Sequence, residues 1–363
     1  MKRLKKKIIR LLLCTMMFSP VLVACNKGEE TSVEPKGKTV GVCMPTKDLQ
    51  RWNQDGANMK KELEEAGYKV DLQYANNEIA QQVNQVENMI TNGVDILVIA
   101  SIDGGSLGTV LEDAKKKEIP VIAYDRLIME TDAVSYYATF DNYMVGTFQG
   151  QYIVDELGLE EGKGPFNIEL FTGSPDDNNA RYFFNGAMDI LNPYIDSGKL
   201  VVVSGQKEFE EVATLNWSPE EAQKRMENLV TAFYDDNTEL DAVLSNNDSC
   251  AIGISNALVN AGYNKDNFPI LTGQDCDITA VKNIIEGLQS MSIFKDTRTL
   301  AAKVVEMVEA IMDGKEVPVN DTQSYDNGTG IIPTYLCEPV FADINNYKEL
   351  LIDTGYYTED QLK

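Results

Sequence analysis

The sequence predicts an α/β protein built from two parallel-sheet domains, and three observations carry that prediction. Short strand-like runs alternate with helical stretches of roughly 10–18 residues, the pattern of parallel strands with helices on both faces. The run VDILVIA at residues 94–100 is almost wholly apolar, as a strand covered on both faces must be. The alternation then restarts near Pro165, so about 340 residues divide into two halves of similar size, each able to bury its own core.

In the first half, residues 38–44 form an apolar strand pattern and 49–66 an amphipathic helix stopped by Gly67. Residues 68–74 come next as a strand. The next helix, 79–91, places Val83, Val86 and Ile90 on one face and ends at Asn92-Gly93. After strand 94–100 come a helix running through Lys117 and a strand at 119–124. The second half reads as strand FNIELF, helix 178–191, strand KLVVVSG, helix 219–234, strand LDAVLS, helix 251–261, and strands FPILTG and QSMSIF. A long helical stretch, 297–312, and a tail from about residue 327 complete the chain.

The N-terminus reads as an export leader. Residues 1–10 carry six positive charges and no acid, and an apolar run extends from Leu11 to Ala24, too short to remain as a membrane span. It ends in Leu22-Val23-Ala24-Cys25, a lipobox in which Cys25 would be lipidated. Residues 1–24 are thus expected to be a lipoprotein signal peptide, and the polar stretch 25–37 a flexible tether to an anchor that ties the protein to a membrane without spanning it.

All 57 acidic residues lie beyond the leader, against 26 of the 32 Lys and Arg, so the remainder carries a net charge of −31. That surface repels nucleic acid and anionic lipid, and no nucleic-acid partner is expected. The chain has no histidine, which excludes Ser-His-Asp and Cys-His catalysis and imidazole-bound zinc. Cys43, Cys250, Cys276 and Cys337 show no CxxC spacing and read as small buried thiols, with one or two disulfides the alternative. The acidic stretch 235–241 lacks the glycine of a calcium loop, so neither a metal nor a cofactor is expected.

Open parallel sheets bind ligands beyond the C-terminal ends of their strands. The residues just past the strand ends are polar, planar and mixed in sign: Pro45-Thr46-Lys47 with Arg51-Trp52, Ser101-Ile102-Asp103-Gly104, Asp125-Arg126, Asp176-Asp177-Asn178-Asn179, Asn247-Asp248, Asp275, and Lys295-Asp296. Carboxylates accept from hydroxyls, Arg and Lys donate, and Asn amides do both, which suits a polyhydroxylated ligand held between the two halves. The two tryptophans, Trp52 and Trp217, fall one in each half at element edges, where a flat ring can cover a C–H face. Other readings stand beside these: Asp125-Arg126 can be an ion pair at a strand end, one residue of Asp177-Asn178-Asn179 can cap a helix, and Asn247-Asp248 carries the same ambiguity. Asp176 and Asp177 are adjacent, and neighbouring residues rarely face one substrate bond, so a hydrolytic enzyme is not expected.

The segments MPTKDLQRWNQDG, QVENMITNGVDILVIASIDG, VIAYDRLI, YYATFDN, GSPDDNNA, NPYIDSGKLVV, LDAVLSNNDS, LTGQDCD and IFKDTR are specific in combination and order. Through them the chain, from about residue 38 to 362, resembles the periplasmic sugar-binding proteins of the ribose/xylose type, in particular the multiple-monosaccharide-binding receptors. The resemblance implies a type I periplasmic binding protein: two Rossmann-like parallel-sheet domains joined by a hinge, the first from 38–142 and 297–326, the second from 143–296 and 327–363. It implies that Arg51 and Trp52 lie against a monosaccharide from the first domain, with Asp125 and Arg126 taking its hydroxyls. From the second domain, Asn179 with Asp177 and Asn178 would add polar contacts, Trp217 would stack on the opposite face, and Asn247, Asp275 and Lys295 would complete the ring. The implied ligand is a pyranose such as xylose, glucose, galactose or arabinose, and the implied partner an ABC permease. No GxxxxGK[ST] loop is present, so the ATPase would be a separate subunit, and the receptor itself is expected to be a monomer. The alternative partner is a chemoreceptor or sensor kinase. The stretch 207–216 before Trp217 departs from the xylose-binding pattern, which bears on the choice of sugar.

Overall fold

The computed structural model describes residues 36–234 and 238–363. The leader, Cys25 and the tether up to residue 35 lie outside the described residues, as do residues 235–237 of the acidic stretch. The described residues form one compact unit holding a six-stranded sheet, a four-stranded sheet and a two-stranded one.

The first sheet is parallel throughout. Strand β1 (Thr39–Met44) lies between β2 (Lys69–Tyr74) and β3 (Ile96–Ile99), with Val42 opposite Leu72 on one side and Val98 on the other. Strands β4 (Val121–Tyr124) and β5 (Tyr136–Phe140) extend it beyond β3. Parallel strands need crossovers, and α1 (Gln50–Glu65), α2 (Ile79–Asn92) and α3 (Gly108–Lys116) supply them. The pleat explains the unbroken apolar runs. Val40, Val42 and Met44 pack with Met59 and Leu63 of α1, whereas Cys43, Leu97 and Ile99 point the other way onto Val86 and Met89 of α2.

The chain then enters a second lobe through α4 (Asn142–Leu157), capped by the Asp141 carboxylate, which accepts from the Met144 N–H. Strand β6 (Phe166–Phe171), helix α5 (Asn178–Asp196), strand β7 (Leu200–Val202), the short α6 (Phe209–Val212), α7 (Pro219–Phe233), β8 (Ala242–Ser245), α8 (Asp248–Asn260), β9 (Ile270–Leu271), α9 (Ile278–Glu286) and β10 (Met291–Phe294) come in turn. The strands order β7-β6-β8-β9, all parallel, and β10 joins through the bridge between Gln274 and Ile293. Helices α4 and α5 pack backbone to backbone: a Cβ at Gly146 would lie 1.9 Å from the Phe183 carbonyl oxygen, and one at Gly186 2.2 Å from that of Tyr143.

Helix α10 (Thr297–Met312) returns to the first lobe, burying Leu300, Val304 and Met307 against Met59 and Leu63. Strand β11 (Thr334–Cys337) then pairs in parallel with β5, and β12 (Val340–Asp343) pairs antiparallel with β10. This corrects the expected boundary at residue 327. Residues 334–337 belong to the first sheet because β5 offers an unpaired edge there, and the last crossing falls at Glu338-Pro339. Sequence reading also missed β5, α4, α6, α9, β11 and β12 as elements, began α8 three residues late, and ended α5 before Pro193, which the helix accommodates. Cys43, Cys250, Cys276 and Cys337 are buried free thiols. Among the described residues no helix is long and apolar enough to cross a membrane, and no group of acids and cysteines is placed to hold a metal.

Candidate functional site

Between the lobes, at the C-terminal ends of both sets of strands, lies a tightly closed cleft with a residual cavity of about 30 Å³, the concave, mixed polar and aromatic setting in which small-molecule sites form. Ten of the eleven sequence-predicted residues line it: Arg51, Trp52, Asp125, Arg126, Asp177, Asn179, Trp217, Asn247, Asp275 and Lys295.

The first turn of α1 supplies Arg51 and Trp52. The buried Arg51 guanidinium serves three carboxylates: Asp55 at 2.9 Å, Asp125 at closer range, and Asp275 of the other lobe at 3.1 Å. A planar fork of five donors can do this where a lysine could not. Asp125 follows β4 directly, in the left-handed region (φ 58), and its carbonyl oxygen accepts from the Tyr137 hydroxyl at 2.6 Å, the Thr139 hydroxyl at 2.9 Å and the Asn179 amide at 2.6 Å. These bonds hold an otherwise disfavoured backbone and aim the carboxylate inward. Arg126 is fixed by the Ser101 carbonyl at 3.1 Å, and its Nε lies 2.9 Å from Asp177 yet out of line for a hydrogen bond. Both guanidiniums lie near the Trp52 ring, 5.2 and 5.1 Å from its centroid.

In the second lobe Asp177 caps α5, accepting from the Asn179 N–H at 3.0 Å, while its other oxygen accepts from the Trp217 indole at 3.1 Å. Trp217 has φ 56 and lies over Gly173, where a Cβ would come within 2.0 Å of the ring; its edge meets Phe183 at 6.1 Å. Asn247 uses its carbonyl oxygen to cap α8 at 2.9 Å, and its amide nitrogen has no partner among the described residues. Asp275, at φ 95, receives Lys295 at 3.0 Å. Lys295 is 2% exposed and lies 5.9 and 5.6 Å from the Phe140 and Phe183 rings. Three site residues thus hold left-handed backbone without being glycine, a concentration typical of ligand clamps.

Asn178 is the exception. It opens α5, and a helix turns about 100° per residue, so with Asn179 facing the cavity Asn178 is swung aside, next to the Tyr182 hydroxyl. Sequence reading missed Leu49, Phe183, Ser249, Gln274 and Asp277. Phe183 is one turn after Asn179 on α5, and Gln274 and Asp277 flank Asp275, so helical and loop neighbourhood were the available signals.

The electrostatics suit a neutral guest. Arg51, Arg126 and Lys295 face the carboxylates of Asp125, Asp177 and Asp275, and the set balances where the fourth lining carboxyl, Asp277, is protonated. Burial would raise the Asp125 carboxyl, but Arg51, Lys295 and Arg126 hold it below the usual carboxylate range. Asp277 is pushed up to about 7 by burial and by Asp275 beside it, and so carries its proton over much of the acidic range. Asp277 Oδ1 and the Gln274 side-chain oxygen are buried without a hydrogen-bond partner. Such atoms cost about 1–3 kcal/mol each unless a guest satisfies them.

A cleft between two hinged parallel-sheet lobes, lined from both sides by balanced hydrogen-bonding groups, defines a ligand-binding protein that encloses its guest. The chain belongs to the periplasmic binding protein family: the family model described as a periplasmic binding protein domain matches residues 40–316, and the fold is the type I arrangement. It is 55% identical over 349 residues, 96% of each chain, to the multiple sugar-binding periplasmic receptor ChvE of Rhizobium radiobacter. It is 37% identical to the D-xylose-binding periplasmic protein of Escherichia coli, over 94% of this chain and 98% of that one. Among solved structures, an ABC transporter solute-binding protein from Clostridium phytofermentans with bound β-D-glucose is 69% identical, with TM-score 0.88 over 90% of this chain and all of the other.

Proposed function

We propose that this chain is the extracytoplasmic receptor of an ABC importer, capturing an aldopyranose in the interlobe cavity and presenting it, lobes closed, to a permease driven by a separate ATPase subunit. The carrying observation is the cavity itself: three cations facing four carboxyl groups, of which Asp277 is raised to about 7, a tryptophan from each lobe, and two buried oxygens that lack partners. A sugar hydroxyl donates to one oxygen while accepting from a cation, so a ring of hydroxyls satisfies what the protein leaves open. The solved relative from Clostridium phytofermentans with its β-D-glucose supports this class of ligand.

The reading is of a binder, with no catalytic step. Asp177 is engaged by Trp217, Asn179 and Arg126, and Asp176 does not line the cavity, so the adjacent acids form no acid/base pair. Lobe closure over the guest belongs to the hinge-closure repertoire, in which periplasmic binding proteins are a named case. Retention at the cell surface by lipidated Cys25 belongs to the same proposal. Because both tryptophans line the cavity, intrinsic fluorescence reports occupancy. Titration of the sugar-stripped chain from Lys36 onward with glucose, xylose, galactose, arabinose and ribose is expected to give micromolar or tighter binding of at least one pyranose, about −8 kcal/mol. No response to any of them sinks the proposal.

A further inference from the structure

The last residues of the chain form a second junction between the lobes, about one helical turn along α1 from the site. Tyr357 is 3% exposed and belongs to a small core with Cys276, Val281, Phe294 and Leu351 of the second lobe. Its hydroxyl donates to the Cys276 carbonyl oxygen at 2.9 Å and accepts from the side-chain amides of Gln50 at 2.7 Å and Gln54 at 3.0 Å. One donated and two accepted bonds use its whole capacity. Gln50 in turn accepts from the Ile278 N–H at 3.1 Å.

Both ends of this junction lead to the cavity. Gln50 and Gln54 lie on α1, the helix that carries Arg51 and Trp52. Cys276 comes directly after Asp275, and both hold left-handed backbone (φ 50 and 95), a conformation that persists only where its surroundings enforce it. The bond from Tyr357 to the Cys276 carbonyl enforces it from behind, while Arg51 and Lys295 hold the Asp275 carboxylate in front. The bonds to Gln50 and Gln54 form only when α1 and the Asp275 loop are together, that is, in the closed cleft.

We propose that Tyr357 is a positioning residue and latch: its hydroxyl fastens α1 to the Asp275–Cys276 turn, so that closure over the sugar is prolonged by a contact remote from it. This rests on the reading of the cavity as a monosaccharide site. Because the latch forms after the sugar has entered, it acts on release and not on capture.

The test is stopped-flow tryptophan fluorescence with β-D-glucose on the chain from Lys36 onward, comparing wild type, Tyr357→Phe, which keeps the ring packing, and the Gln50→Ala/Gln54→Ala variant. Dissociation should accelerate roughly tenfold in each, equivalent to about 1.4 kcal/mol, with association within about twofold. The triple variant should be no worse than the Gln50→Ala/Gln54→Ala parent, which already lacks the Tyr357 bonds together with those from Ile278 and Tyr356. Unchanged dissociation in Tyr357→Phe, a loss confined to association, or a triple variant that releases sugar faster than the Gln50→Ala/Gln54→Ala parent would each overturn the latch. If wild type binds no sugar, the functional reading fails separately. The latch is then read from amide exchange at Ile278, which Tyr357→Phe must accelerate and which an unchanged rate refutes.

Discussion

The Arg51 guanidinium, on the first turn of a helix in one lobe, lies 3.1 Å from the Asp275 carboxylate on a loop of the other. This ion pair crosses the cleft, and the same guanidinium holds Asp55 and Asp125 within its own lobe. Removing one partner of a buried charge group is far more costly than the net worth of the group, because the remaining charges stay desolvated.

Arg51→Ala is therefore expected to destabilise the protein by about 3–5 kcal/mol and to abolish measurable sugar binding. Arg51→Lys should retain part of the stability and little of the binding, since an ammonium cannot reach three carboxylates in fixed directions. Chemical denaturation alongside fluorescence titration separates the two effects, and near-wild-type behaviour of Arg51→Ala would rule out this role.

Gly173→Ala places a methyl 2.0 Å from the present position of the Trp217 ring. Gly173 is not among the residues held at positive φ, so alanine fits its backbone and the ring must yield instead. Overpacking of this kind costs about 1–3 kcal/mol, expected here as sugar affinity roughly tenfold weaker, with thermal unfolding lowered by a few degrees at most. Unaltered affinity would show that Trp217 does not contact the sugar.

The cavity and the fold were legible in the sequence to different degrees. Strand ends were found because apolar runs stop abruptly at polar pairs such as Asp125-Arg126 and Asn247-Asp248. Asn178 was named with its neighbours because a tripeptide cannot reveal which residue a helix turns inward. Helix α4 was hidden by its own packing, for Gly146 and Gly150 sit where a helix normally shows large apolar residues, admitting α5 at backbone distance. The Glu338-Pro339 crossing was misplaced because β11 is four residues long and its place is fixed by the free edge of β5, which is remote in sequence. Beyond their place beside Asp275, Gln274 and Asp277 stand out by one side-chain oxygen each that lacks a partner, a property sequence does not carry.

Stability should fall as pH rises through neutrality. Burial and Asp275 raise Asp277 to about 7, and burial and Asp277 raise Asp248 well above its ordinary value. Between about pH 4 and 7 the folded chain thus binds protons that an unfolded chain has released, so this contribution is complete below about pH 4 and is lost on passing pH 7. Asp125, held low, acts in the opposite sense, losing its contribution only as pH falls through its depressed value in strongly acidic solution. Denaturant midpoints should fall between about pH 5 and 8, and Asp277→Asn should flatten that slope. A slope unaffected by Asp277→Asn would contradict the assignment.

Lys295 is the deepest cation, 2% exposed against Asp275 and the Phe140 and Phe183 rings. Lys295→Met keeps its volume and leaves Asp275 with Arg51 as its remaining cation. Sugar affinity should drop by at least about 2 kcal/mol, the lower range for breaking a buried charge pair, which calorimetry reads as about thirtyfold. A change under twofold would remove Lys295 from the site.

The most direct measurement is a crystal structure of the chain from Lys36 onward grown with D-glucose. A pyranose ring between Trp52 and Trp217 is predicted, its hydroxyls bonded to Asp125, Asp275 and Lys295 and to the otherwise unpaired oxygens of Gln274 and Asp277. A cleft without sugar under saturating glucose, or glucose seated elsewhere with these residues still paired only to one another, would contradict it.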